Sequence, residues 1–165
     1  HSFNDTEIWM LVSFLKSVAE VGTTNQIMGN SDRGDQLFAS NCSRCHRLDG
    51  KGGSLGPDLS NIIGRRSQDV LIRSIRNPSA NIARLYKPIS FITVGNESVQ
   101  GTIKSEDAFS IQLMDSNQVL RGFSKSDLRE LRREEQSLMP SFTESSLSDS
   151  DVNDLLSYLQ SSRGR

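Results

Sequence analysis

Both cysteines of this chain and one of its two histidines fall within five consecutive residues, Cys42-Ser43-Arg44-Cys45-His46. Thiols three residues apart sit on one helical turn, and the next residue places an imidazole beside them. A C-x-x-C-H run reads as an attachment site for c-type haem. Each thiol forms a thioether with a vinyl group, and the imidazole stands under the iron. This pentapeptide constrains the fold more than any other segment, because the chain around it must present two thiols to a porphyrin edge and an imidazole to its iron. The rival readings are weaker. A zinc ribbon needs a second Cys or Cys/His pair, for which only His1 is left. A thioredoxin-like dithiol needs a βαβ setting, whereas this C-x-x-C ends a helical stretch and enters a glycine-rich loop.

A chain of 165 residues makes one domain, or one domain with an appendage, with a real core. A net charge of −1 and the lack of any Lys/Arg-rich tract offer no footprint for nucleic acid. Fourteen of the 19 basic residues are arginine, which suits carboxylate pairing, haem propionates included. The most apolar run, Ile8 to Val21, carries Lys16 and Glu20 and is too short to span a membrane. The sequence opens at His1 without a leader, so the expectation is a processed form or a segment of something longer.

Periodicity predicts an amphipathic helix over 4–20, with Ile8, Leu11, Val12, Leu15 and Val18 as its stripe. Asn4 and Glu7 form its capping box, and Phe3 with Ile8 its staple. A polar linker, Gly22 to Ser31, leads to a helix from about Asp32 that carries Leu37 and Phe38 into Cys42. Residues 47–66 read as a loop with five glycines and Pro57. Ser67 caps a helix bearing Val70, Leu71 and Ile75, which stops at Asn77-Pro78. The period then changes to two: Ile89, Phe91, Thr93; Val99, Gly101, Ile103; Phe109, Ile111, Leu113. Turns at 95–97, 105–107 and 115–117 separate these runs, and Val119 to Phe123 adds a fourth strand to an antiparallel meander. Residues 124–136 are charged and ambiguous. Ser148 caps a last helix with Asp151 at N3, a Leu147/Val152 staple and a stripe of Val152, Leu155, Leu156 and Leu159.

These residues resemble the class I c-type cytochromes. Gly34-x-x-x-Phe38 ahead of C-x-x-C-H looks like the family's first helix, whose aromatic packs on the final helix, here near Leu155 and Tyr158. Leu55-Gly56-Pro57-Asp58-Leu59 looks like the loop whose proline carbonyl accepts a hydrogen bond from the ligand histidine. Gly64-Arg65 matches a Gly-Arg that reaches a haem propionate, with Arg66 as the nearest substitute. Leu138-Met139-Pro140 looks like the Met-Pro that supplies the sixth ligand. Met10 and Met114 are expected in packing, and Met28 lies in the linker without a matching motif. The meander ahead of Met139 resembles a bacterial haem-domain variety found in secreted cytochromes and fused to dehydrogenases.

The resemblance implies one haem c held by Cys42 and Cys45, with axial ligands His46 and Met139, and Pro57 and Arg65 in support. It implies a mostly α fold, a cytochrome c core with a small antiparallel β-meander at about 87–123. The expected organisation is an N-terminal helix and linker over 1–30 and a mono-haem domain over 31–165. The expected role is an electron carrier rather than an enzyme, alone or as the haem domain of a larger dehydrogenase or multi-haem system. Its partners would be a periplasmic dehydrogenase and other cytochromes, and its location periplasmic or extracellular. The alternatives are a haem peroxidase or a gas-binding sensor with an open sixth site.

Residues 2–17 also align without gaps on 146–161: caps, staple, stripe and the aromatic-Leu pair all correspond. Two accounts fit. Any capped amphipathic helix looks like this, or residues 1–20 are the last helix of a preceding cytochrome unit. An exposed apolar face on this helix would also favour self-association.

Overall fold

In the computed structural model, residues 4–20 and 26–162 are described, the side chains of 16–20 apart. Helix α1 covers Asp5–Glu20. Its predicted capping box is present: Asn4 N–H donates to Glu7 Oε2 at 2.9 Å and Glu7 N–H to Asn4 Oδ1 at 3.0 Å. The Phe3 half of the staple lies outside the described residues. Met10, expected in packing, is exposed, as are Ile8, Leu11 and Leu15 on the same helix, while Val12 is half-buried. No helix among the described residues is long and apolar enough to cross a membrane.

Helix α2 (Ser31–Asn41) starts at Asn30, whose side chain accepts the Arg33 N–H. Helix α3 (Gln68–Arg76) follows Ser67, which occupies the cap position without a side-chain cap bond. Helix α4 (Asp149–Ser161) carries the reciprocal box between Ser148 and Asp151. Its stripe, Val152, Leu155, Leu156 and Leu159, is buried with Leu147, Phe38, Leu48, Ile63 and Ile75 in one apolar cluster. Helices α2 and α4 cross at Gly34, where a Cβ would lie 2.7 Å from both the Asp154 carbonyl carbon and Tyr158 Cβ. The crossing is therefore backbone against backbone. One turn on, the Phe38 and Tyr158 rings meet at 5.7 Å between centroids. The segment before α2 is tied to α4 as well: Asn30 N–H donates to Asp154 Oδ1 (2.6 Å) and Ile27 N–H to Gln160 Oε1 (2.9 Å).

Residues 47–52 depart from the expected loop. Strands β1 (Arg47–Leu48) and β2 (Lys51–Gly52) pair across Asp49-Gly50, both at positive φ, as a two-residue hairpin turn requires. The meander is larger than expected. Strands β3 (Pro88–Thr93), β4 (Ser98–Glu106), β5 (Ser110–Asp115), β6 (Leu120–Ser124) and β7 (Leu128–Arg133) form one antiparallel sheet in the order β6-β5-β4-β3-β7. The fifth strand is the ambiguous charged segment. It runs at the sheet edge and is nearly all exposed, so it carries no apolar alternation, and a bulge at Glu130 (φ 52°) breaks its period. Phe109 is not a strand residue; it stands exposed in the turn after β4. The alternating residues Ile89, Phe91, Val99, Ile111 and Leu113 make a second buried cluster, separate from the helical one. Among the described residues four α-helices stand beside seven strands in two antiparallel sheets, so the mostly α expectation gives way to a helical core beside a substantial sheet.

Candidate functional site

The C-x-x-C-H segment forms where α2 runs out. Ser43 N–H still reaches back to the Phe38 carbonyl, while Cys45 and His46 N–H both donate to the Cys42 carbonyl at 3.0 and 2.9 Å. This tight turn leaves Cys42 and Cys45 half-buried, neither in a disulfide, and His46 buried. Burial, with Cys45 next to it, pushes the Cys42 thiol up to about 11. A redox dithiol is marked by the opposite shift, toward thiolate.

The glycine-rich loop folds onto this turn. Gly53 N–H donates to the Ser43 carbonyl and Gly56 N–H to the Cys45 carbonyl, both at 2.8 Å. Gly56 lies flat against the imidazole: a Cβ there would sit 2.6 Å from His46 Cε1 and 2.9 Å from Nδ1. Immediately after it, the Pro57 carbonyl lies 2.8 Å from His46 Nδ1. A carbonyl only accepts, so Nδ1 carries the proton and Nε2 keeps its lone pair. Burial lowers the His46 pKa, opposed in part by the Pro57 bond, which keeps the ring neutral near pH 7. A neutral imidazole with Nδ1 tethered and Nε2 free is the donor an iron ligand requires. The residues present thus fit a covalently held haem.

The remaining predicted residues are placed less tightly. Arg65 is exposed and donates to the Ser60 carbonyl at 2.9 Å, on the same loop as Pro57. Met139 is half-buried against the helical cluster, and its N–H donates to Ser137 Oγ at 3.1 Å. Of the other methionines, Met28 is exposed and Met114 half-buried in β5.

Two residues that sequence reasoning missed hold these segments in place. Arg76, in the last turn of α3, donates from Nη1 to the Phe142 and Leu147 carbonyls (3.0 and 2.5 Å) and from Nη2 to Asp149 Oδ1 (2.6 Å). With Phe142 N–H on the Ile75 carbonyl (3.1 Å), it fastens the segment after Met139 between α3 and α4. Gln118, at positive φ in the β5–β6 turn, grips the Cys42–His46 turn from the sheet side. Its Nε2 donates to the Arg44 carbonyl (2.5 Å), and its Oε1 accepts the Ser54 N–H (2.8 Å). Lys104, the extra residue of the β4 bulge, donates to the Ser54 carbonyl at 3.2 Å. No local pattern marks Gln118 or Arg76, since their partners lie 64–74 residues away.

A family model described as "Cytochrome c" matches residues 31–108, which takes in α2, the C-x-x-C-H turn, α3 and the first two strands of the sheet and stops short of Met139. A curated relative from Synechocystis sp., "Cytochrome c-553-like", is 34% identical over 65 residues, covering 39% of this chain. The chain spans 61% of that relative's length. The likeness to cytochrome c thus covers residues 31–108, which hold the Cys42–His46 turn, the His46–Pro57 contact and the α2 side of the α2–α4 crossing.

Proposed function

We propose that this protein is a one-electron carrier with one c-type haem in the described domain, attached through Cys42 and Cys45 and ligated by His46 and Met139. The observation that carries the reading is His46 Nδ1 held by the Pro57 carbonyl at 2.8 Å, which leaves Nε2 available to a metal. The bound haem supplies a ferric/ferrous couple. The chain's part is to keep both axial donors in place in either state. Pro57 and Gly56 fix the imidazole, and Arg76 holds the Met139 segment against the helical core. Thioether ligation favours the ferrous state relative to a second imidazole, and apolar packing around the ligands limits rearrangement. Arg65, exposed on the same loop, is the residue we assign to a haem propionate. No bond chemistry on a substrate is required. The partners that suit such a carrier are a dehydrogenase and other cytochromes outside the cytoplasm, where c-type haem is attached.

The ferric protein should show the far-red sulfur-to-iron charge-transfer band, and Met139→Ala should abolish it. A wild-type protein without the band, whose ferrous form binds carbon monoxide readily, would sink the carrier reading. The peroxidase or gas-sensor reading, with its open sixth site, would then replace it.

A further inference from the structure

Helices α1 and α4 are two versions of one element. They align without gaps, residue n of α1 on residue n + 144 of α4, and both open with a reciprocal cap, Asn4/Glu7 and Ser148/Asp151. They differ in cover. Val152, Leu155 and Leu159 of α4 are buried on α2, whereas their counterparts Ile8, Leu11 and Leu15 are 45%, 46% and 63% exposed. The seat that fits such a stripe is an α2-type helix with a small residue at the crossing, and this chain's own is taken by α4. Order along the chain adds to this. Within the unit α4 comes last, after α2, the haem turn and the sheet. A copy of that last element standing directly before α2 is the arrangement a head-to-tail array produces.

We propose that α1 is the closing helix of a second haem-c unit that precedes α2 in the same polypeptide, seated on the helix leading into that unit's own C-x-x-C-H. The haem content of that unit rests on the carrier reading above; the docking of α1 rests on the α2–α4 packing. The ten residues from 21 to 30 limit the gap between α1 and α2 to about 35 Å even at full extension. The two units would then be neighbours along the chain. The partner's chemistry also differs in a stated way. Asp154 takes the Asn30 N–H and pairs with Arg33, but its α1 counterpart is Met10. The seat under α1 therefore lacks the bond that Asp154 takes from the segment ahead of α2, while Glu7, the counterpart of Asp151, keeps an acid where this unit pairs with Arg33.

The test is mass spectrometry of the native polypeptide, reading its haem-to-polypeptide ratio and its haem-bearing peptides. A ratio above one, with haem on the Cys42–His46 peptide and on a peptide upstream of α1, is the expected result. Haem on Cys42–His46 with a ratio of one overturns the tandem and leaves the carrier reading standing. No haem on Cys42–His46 overturns the carrier reading itself. A native polypeptide that pairs two copies through α1, with pairing lost in Leu11→Lys, also overturns the tandem. A second test grafts residues 4–17 in place of 148–161 in the full chain. The graft should hold haem and melt cooperatively; one that behaves no better than the same graft with lysines at the Ile8, Leu11 and Leu15 positions refutes the equivalence of the two helices.

Discussion

Gly34→Ala probes the contact that closes the helical unit. The added methyl would stand 2.7 Å from the Asp154 carbonyl carbon and from Tyr158 Cβ, where carbon atoms settle at about 3.5–4.0 Å. The two helices must part by about 1 Å, the shortfall between those distances. Parting them disturbs the Phe38–Tyr158 contact, the Asn30–Asp154 bond and the Arg33 pairs with Asp151 and Asp154. Two effects oppose. Alanine is favoured over glycine inside a helix by about 1 kcal/mol. Overpacking a close-packed contact costs about 1–3 kcal/mol, and the upper end applies because a backbone carbonyl cannot rotate out of the way. The net expectation is a loss of about 2 kcal/mol, or about 4–8 °C in melting temperature for a chain of this size. Thermal denaturation of the haem-loaded protein, followed by circular dichroism, measures it. Gln36→Ala on the exposed face of α2 serves as the control and should shift stability by less than about 0.5 kcal/mol. A Gly34→Ala protein as stable as wild type, or more so, would refute the backbone-to-backbone crossing.

Arg76→Leu should cost about 2–3 kcal/mol, since a charged donor to two backbone carbonyls is lost from a partly buried site. It should also weaken the far-red band while leaving haem attached; an unchanged band would show that the Met139 segment is held by other contacts. Gln118→Ala should lower stability by about 1–2 kcal/mol through its two bonds to the haem turn, and hydrogen exchange at Ser54 should speed up. Protection at Ser54 equal to wild type would count against the grip. In the haem-free protein, burial holds the His46 pKa below its ordinary value. The unfolded chain then takes the proton first, so this contribution to stability is whole above about pH 6.5 and is lost as pH falls through the lowered folded value. Urea midpoints should fall from pH 7.5 to pH 5 and the slope should flatten in His46→Asn; equal slopes would refute it.

What the sequence disclosed was local. Periodicity and caps gave α1, α2 and α4 to within a residue or so, and period-two runs gave four of the five strands of the sheet. The Asp49-Gly50 dipeptide carries a hairpin signal, but the glycines that follow it, Gly52, Gly53 and Gly56, obscured it. Strand β7 was hidden because an edge strand facing water has no need of apolar alternation. At the site, Cys42, Cys45, His46 and Pro57 stand close in sequence and were legible; Gln118 and Arg76 act across more than 60 residues through polar atoms, which leaves no pattern behind.

The pairing of β3 with β7 has a consequence for how this sheet came to be here. Ile89 faces Arg133, and Glu134 N–H donates to the Pro88 carbonyl at 2.9 Å, so the chain leaves the sheet beside the point where it entered. Seen from the helices, a run of more than forty residues subtends no more than a tight loop does. Such an excursion can be gained, lengthened or exchanged without moving the elements on either side of it, much as a room is added behind an existing doorway. Its buried cluster is its own. Selection can therefore rework the strands toward new neighbours, with Gln118 and Lys104 as the points at which the sheet stays tied to the Cys42–His46 turn.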